Sequence, residues 1–314
     1  MRRWDGLVDR YIEEYAARGI STATVGNVRR ELDRWGTWMK RRRPRPVLEA
    51  IDSDLLITYL RVRSRFRAKA TLCGVLTAMR GLGDYLVAQQ VWSSSPLRWI
   101  RGPKLDWRSH LPRRIGAESM SQLFKAASDS RQGYHRWLWA TVLSVLYGTG
   151  LRRGELERLD VGDWQRDSGF LLIDGRKTGQ ERQVAVPELT ARLIESYLPH
   201  RHNHLERQGA ASQAALFVNK SGGRLRGHAV SRAVGALAVR GGVGRITLHQ
   251  FRHSCASDLL EDGVHVADVQ RILGHQTITT TVRYLHIADP QRHQAVGRHP
   301  INQMLNAEVN HEAG

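Results

Sequence analysis

The chain has 314 residues, 41% hydrophobic and 25% charged, with a formal net charge of +18 and a pI near 10.8. That length allows two domains with separate cores, the composition excludes a disordered chain, and the charge excess calls for a polyanionic partner, nucleic acid above all. Cys73 and Cys255 read as reduced core thiols, the longest apolar run (Trp137 to Tyr147) is too short to cross a bilayer, and Met1-Arg-Arg-Trp-Asp lacks a signal-peptide core, so a cytoplasmic protein without membrane association is expected.

Residues 1–91 predict a helical bundle. Leu7, Val8, Tyr11, Ile12 and Tyr15 form the first apolar stripe; Ser21 can cap a second helix carrying Val25, Val28, Leu32, Trp35 and Met39. Asp52 or Ser53 starts a third with Leu55, Leu56, Tyr59 and Leu60, and a fourth holds Leu72, Val75, Leu76, Met79, Leu82 and Leu86. Between these stripes lie Arg41, Arg42 and Arg43, and then Arg63, Arg65 and Arg67, which suit phosphate contact or a solvated face. Residues 92–116, rich in Ser, Pro and basic groups, read as a linker.

Residues 117–290 predict a second, α+β domain. Helices are expected over 118–127 and 135–147, with Gly148 and Gly150 breaking the latter just before Arg152. Gly169 to Ile173 and Gln183 to Val186 read as a hairpin stopped by Pro187, with Leu216 to Val218 as a third short strand. A helix over 188–198 precedes His200, His202 and His204, which read as a solvated loop because no carboxylate or cysteine joins them at metal-ligand spacing. A further helix spans about 228–240. His249 and His253 mimic a zinc pair, but Gln250 stands where a metallopeptidase needs its glutamate, so no metal site is expected. No glycine-rich phosphate loop supports an ATP-driven reaction.

Two stretches concentrate the chemistry. One is Thr149-Gly150-Leu151-Arg152-Arg153-Gly154-Glu155-Leu156. The other begins at Thr247, a plausible N-cap, and puts His249 and Arg252 on one helix face, with Leu248, Phe251, Cys255 and Leu259 inward. Asp262-Gly263 ends that helix, and a short one carrying Val266, Val269, Ile272 and Leu273 stops at Gly274. His275 follows, and a restarted helix from Thr277 presents Tyr284. Singly, each His or Tyr reads as an ordinary structural residue. Cations, imidazoles and a phenol in this order suit an anionic reacting group.

In order and spacing, from about Tyr147 to Ile287, these motifs resemble the tyrosine recombinase (phage integrase) family, and within it the Xer-like recombinases. The resemblance implies catalytic roles for Arg152, Lys177, His249, Arg252, His275 and Tyr284, with Glu155 in support. Lys177 is placed by counting back from Glu181-Arg182; Arg176 stands where the family has glycine, so a register one residue away stays open. Tyr284 would attack the phosphate, Arg152 and Arg252 would fork onto its non-bridging oxygens, and His275 would add a hydrogen bond. Lys177 would protonate the leaving 5′-oxygen and His249 would take the tyrosine proton. No cofactor is needed, since arginines do what metals do in nucleases.

The implied fold is mainly α with a small antiparallel sheet: a helical core-binding domain, one jaw of a clamp on DNA, and an α+β catalytic domain. The implied function is site-specific recombination of double-stranded DNA through a 3′-phosphotyrosyl intermediate and a Holliday junction. A type IB topoisomerase-like or hairpin-forming enzyme, and a catalytically silent DNA-binding regulator, are the competing readings. The implied assembly is a homotetramer on paired sites, monomeric when free, with room for a second recombinase. Residues 291–314, whose Ala295, Val296, Ile301, Met304, Leu305 and Val309 suffice for one short helix, would dock on a neighbouring subunit.

Overall fold

Helix α1 (Arg2–Ala17) and helix α2 (Thr22–Lys40) cross through aromatic side chains, with Trp4 edge-on to Trp35 at 5.0 Å between ring centroids. The computed structural model describes residues 2–65, 69–104, 114–129, 133–174 and 181–274, and the chain divides into two compact units, Met1–Leu111 and Pro112–Gly314.

In the first unit the expected caps form. Ser21 Oγ accepts from the Thr24 amide at 3.3 Å, and Asp52 accepts from Leu55 at 2.8 Å to start α3 (Ser53–Ser64). These bonds satisfy amide donors that the first helical turn leaves orphaned. Helix α4 (Lys69–Ala88) buries Leu82 and Leu86 completely, as α2 does Leu32 and Trp35 and α3 does Leu56. Residues 92–103, expected in the linker, pack on this bundle. Leu97 is fully buried, Trp92 Nε1 donates to the Leu48 carbonyl at 2.9 Å, and Ser53 Oγ donates to the Pro96 carbonyl at 2.8 Å.

The second unit is built around α6 (Gly133–Thr149), buried continuously from Ala140 to Leu146. A helix buried on all sides belongs at a core centre, and its two buried hydroxyls, Thr141 and Ser144, are hydrogen-bonded to Leu193 and Thr190. Helices α5 (Ala117–Ser128), α8 (Glu188–Arg207) and α10 (Leu248–Glu261) pack on α6, and α9 (Gly227–Arg240) packs on α5. A three-stranded antiparallel sheet, ordered β1 (Trp164–Gln165), β2 (Phe170–Ile173), β3 (Arg182–Ala185), buries Leu171, Ile173 and Val184. Alternate residues of a strand share a face, so the same register sets Arg182 opposite Ile173 at the start of β3.

The mainly helical architecture with one small sheet is the expected one, but several local expectations need correction. Gly148 does not break α6, which runs on to Thr149; Gly150, at φ +61°, is the stop. A Cβ at Gly148 would lie 3.0 Å from Thr190 Oγ1, so that glycine lets α8 approach. The third strand is Trp164–Gln165, not residues 216–218, whose backbone instead binds the segment just before β1: the Leu216 amide donates to the Leu159 carbonyl at 2.9 Å. Helix α8 continues through Pro199 to Arg207, so the three histidines ride a helix. His200 stacks on Trp137 at 5.1 Å, His204 on Tyr134 at 3.9 Å, and His202 pairs with Glu206 at 3.2 Å. Among the described residues no helix is long and apolar enough to cross a membrane.

Candidate active site

The centre forms where three chain segments meet the end of α11 (Val266–Leu273). Gly150 makes the first segment possible. Its positive φ turns the chain from α6 toward α7 (Arg153–Arg158), and a Cβ there would collide with Leu273 and lie 3.3 Å from Cys255 Sγ. Arg152 then sits at the N-cap of α7. Glu155 closes back on it: its Oε2 accepts from the Arg152 amide and its Oε1 from Nη1, both at 2.8 Å.

Helix α10 supplies the second segment. The Thr247 amide donates to Gln250 Oε1 at 2.8 Å, which fixes the helix start. His249 and Arg252 follow on one face. Arg252 is 3% exposed; its Nη1 donates to the Gly150 carbonyl at 2.8 Å and its Nη2 to the Leu273 carbonyl at 2.7 Å. Arg152 Nη2 reaches the next carbonyl, Gly274, also at 2.8 Å. The last carbonyls of a helix have no partner within it. Here two guanidiniums serve that end, which places both cations at the residues immediately before His275.

The third segment is β3, and it brings a residue the sequence reading did not assign. Arg182 donates from Nη1 to Glu155 Oε1 at 3.1 Å and from Nη2 to Oε2 at 3.0 Å. A buried carboxylate with tight ion-pair geometry needs this second cation, but nothing in the local sequence marks Arg182 as its source; only β3 pairing carries it there.

The electrostatics follow. Burial alone would raise the Glu155 carboxyl, but hydrogen bonds from Arg182 and from the Arg152 amide hold its pKa down at about 2. His249 retains an exposed edge, yet desolvation first, then Arg252 and Arg152, lower its pKa and favour the neutral imidazole. His253, 2% exposed and one turn further along, is driven to about 4 by burial, His249 and Arg114. Arg152 keeps 36% of its side chain exposed, so the cationic centre presents an edge outward.

Arg152, Glu155, His249 and Arg252 therefore surround one place. Lys177, His275 and Tyr284 lie outside the described residues, as does the segment 291–314. Arg41, Arg42, Arg43 and Arg65 are exposed in the first unit, with Arg42 over the Trp38 ring at 4.9 Å. Arg63 is engaged instead by Glu31 at 2.8 Å and is only 14% exposed, which ties α3 to α2; Arg67 is outside the described residues. No cluster of His, Cys, Asp and Glu suited to a metal occurs among the described residues.

The phage integrase family model matches residues 113–291. The chain is 30% identical over 294 residues to the tyrosine recombinase XerD of Mycobacterium tuberculosis, covering 90% of this chain and 93% of that one. It is 28% identical over 272 residues to XerD of Oceanobacillus iheyensis, covering 86% and 89% respectively. The fold matches the XerH site-specific recombinase bound to palindromic difH substrate in a post-cleavage complex, with TM-score 0.74 and 21% identity over 90% of this chain and 81% of that one. It also matches a lambda integrase tetramer bound to a Holliday junction, with TM-score 0.69 and 20% identity over 89% of this chain and 76% of that one.

Proposed function

This chain belongs to the phage integrase family and is a site-specific tyrosine recombinase of the Xer type, and we propose that its chemistry runs through Arg152, Lys177, His249, Arg252, His275 and Tyr284. The observation that carries the reading is the convergence of Arg152 and Arg252 on the two carbonyls that precede His275. Cations preorganised in a buried, hydrogen-bonded frame stabilise charge that develops on a phosphate in the transition state, and they cost no reorganisation when it arrives.

Tyr284 is the nucleophile and its phenoxide oxygen bonds to phosphorus while the 5′-oxygen leaves. Arg152 and Arg252 hold the non-bridging oxygens, His275 adds a donor, and Lys177 protonates the departing oxygen. His249, held neutral, accepts the tyrosine proton. Attack by the freed 5′-hydroxyl of another strand reverses the step and completes exchange. Glu155 orients Arg152 without reacting, since its carboxyl stays ionised.

The substrate is double-stranded DNA with specific recombination sites. We assign residues 1–91 to a DNA-gripping core-binding domain, with Arg41, Arg42, Arg43, Arg65 and Arg67 on phosphates and Arg63 holding the bundle together. We assign residues 117–290 to the catalytic domain, 92–116 to the basic segment leading into it, of which 92–103 pack on the first domain, and 291–314 to a tail docking on a neighbour within a tetramer on paired sites. We assign the chain to the cytoplasm, the compartment of the DNA it acts on.

The test starts from a random-sequence duplex pool, from which the Tyr284→Phe chain selects the bound sequence. A nicked duplex carrying that sequence traps the covalent adduct, and Tyr284→Phe, which loses only the reacting oxygen, binds it normally and forms none. A phosphotyrosyl peptide mapping to Tyr147 or Tyr197 overturns the assignment. Both are poor nucleophiles by position: Tyr147 Oη donates to Asp258 at 2.5 Å, and Tyr197 is fully buried. Strand exchange between two duplexes separates recombination from nicking and resealing alone.

A further inference from the structure

We infer that Arg182 is a positioning residue for this reaction, holding Glu155 so that Arg152 faces the scissile phosphate with its charge intact. The inference rests on the site reading above and extends it to a residue outside the six catalytic assignments.

The geometry is a closed ring. Each Glu155 oxygen is shared between two arginines: Oε1 accepts from Arg152 Nη1 at 2.8 Å and Arg182 Nη1 at 3.1 Å, and Oε2 accepts from the Arg152 amide at 2.8 Å and Arg182 Nη2 at 3.0 Å. The remaining side of the ring is Gly274. Its carbonyl accepts from Arg152 Nη2 at 2.8 Å, and a Cβ built on it would lie 2.7 Å from Arg182 Cζ and Nε. Only a residue without a side chain lets the Arg182 plane lie against the end of α11. Gly274 also adopts φ +62°, so the same glycine satisfies the helix stop and the close approach.

The physical consequence lies in how one carboxylate divides its charge. Glu155 is 4% exposed, and a buried carboxylate facing Arg152 alone would draw that guanidinium onto itself and largely cancel it. A second guanidinium, forked onto both oxygens, shares that attraction and leaves the group of two arginines and one carboxylate with a net positive charge. The Nη2 of Arg152 then stays on Gly274, beside the position of the following residue, His275. Arg182 also begins β3, five residues after Lys177 in the sequence, so the one side chain anchors the strand that follows the lysine segment to the arginine turn. A plain structural ion pair would stabilise the fold without selecting between binding and cleavage.

The experiment is a double-mutant cycle on the full chain, reading both duplex affinity and single-turnover adduct formation on the selected nicked duplex. We expect Arg182→Gln to cleave about 30-fold more slowly while binding DNA within about 3-fold of the wild type, since a transition-state contact is disturbed and a ground-state one is not. Arg182→Lys, which keeps charge but loses the fork, recovers part of the rate. Glu155→Gln combined with Arg182→Gln loses no more than Glu155→Gln alone, as expected for residues acting as one unit. Thermal unfolding checks each variant, and if Arg182→Gln does not fold, Arg182→Lys in the same cycle decides. Wild-type cleavage by Arg182→Gln, or losses that multiply in the double variant, overturns the inference while leaving the catalytic assignments standing. A wild type that forms no adduct on the selected duplex removes both.

Discussion

Arg252 and Leu273 are joined by a 2.7 Å hydrogen bond from the buried guanidinium to the last carbonyl of α11. Because the same guanidinium also holds the Gly150 carbonyl, one side chain fastens three segments: the turn before Arg152, α10 and the end of α11. Arg152 makes one such backbone bond and remains partly exposed.

This difference separates the two arginines experimentally. Either change, Arg152→Ala or Arg252→Ala, is expected to slow adduct formation by about a hundredfold or more, the scale for removing one preorganised donor. Only Arg252→Ala is expected to lower folding stability strongly, by about 3 kcal/mol, because it leaves buried carbonyls without donors. Denaturant unfolding checks the second statement. Equal stability losses for both would contradict the buried, three-way role of Arg252.

Acid should weaken the second unit in two stages. His253 has its pKa lowered to about 4 from an ordinary 6.5, so the unfolded chain binds its proton first. Its contribution is therefore complete above pH 6.5 and lost as pH falls toward 4. Glu155, lowered from 4.5 to about 2, contributes above pH 4.5 and fades as pH falls through 2. Each stage is worth on the order of 3 kcal/mol. Denaturation midpoints measured from pH 8 to 2.5 should show both slopes, and His253→Gln should flatten the first while Glu155→Gln flattens the second.

Gly150→Ala is expected to destabilise the chain by about 2 kcal/mol and to slow cleavage more than DNA binding. The added methyl meets both a positive φ and the Leu273 side chain. A second change, Leu273→Ala, removes the clash but opens a cavity at a fully buried position and leaves the positive φ in place, so the double variant is expected to lose less stability than the sum of the two single changes.

The proton donor to the leaving 5′-oxygen is decided by sulfur substitution. A bridging 5′-sulfur leaves without protonation, so Lys177→Ala should be rescued on that substrate and Arg176→Ala should not. The reverse pattern would shift the lysine segment by one residue.

Periodicity carried the helices because burial on one face repeats with the helical turn: the stripes from Leu7 to Tyr15 and from Leu32 to Met39 both point into a core. It carried α8 less well. Pro199 and three alternating histidines look like a loop, yet the ring stacks on Trp137 and Tyr134 hold the helix through them. Pattern cannot register such a gain, since both aromatic partners come from a helix far away in sequence. The strand Trp164–Gln165 escaped for a similar reason, two residues being too few for alternation to show.

Spacing along the chain already sets which chemical groups the centre contains and in what order: Arg152 with Glu155 three residues on, His249 with Arg252 on one helix face, and Gly274 as a stop. These are local facts, set by spacing along a helix and by the backbone freedom of glycine. Tertiary structure alone decided that Arg182 shares Glu155 with Arg152 and that Arg152 and Arg252 both end on the carbonyls of α11. Those bonds join residues 27, 122 and 21 positions apart. Their partners are backbone carbonyls or a carboxylate already matched locally, and such acceptors carry no side-chain signature; only packing of β3, α7, α10 and α11 brings them within reach.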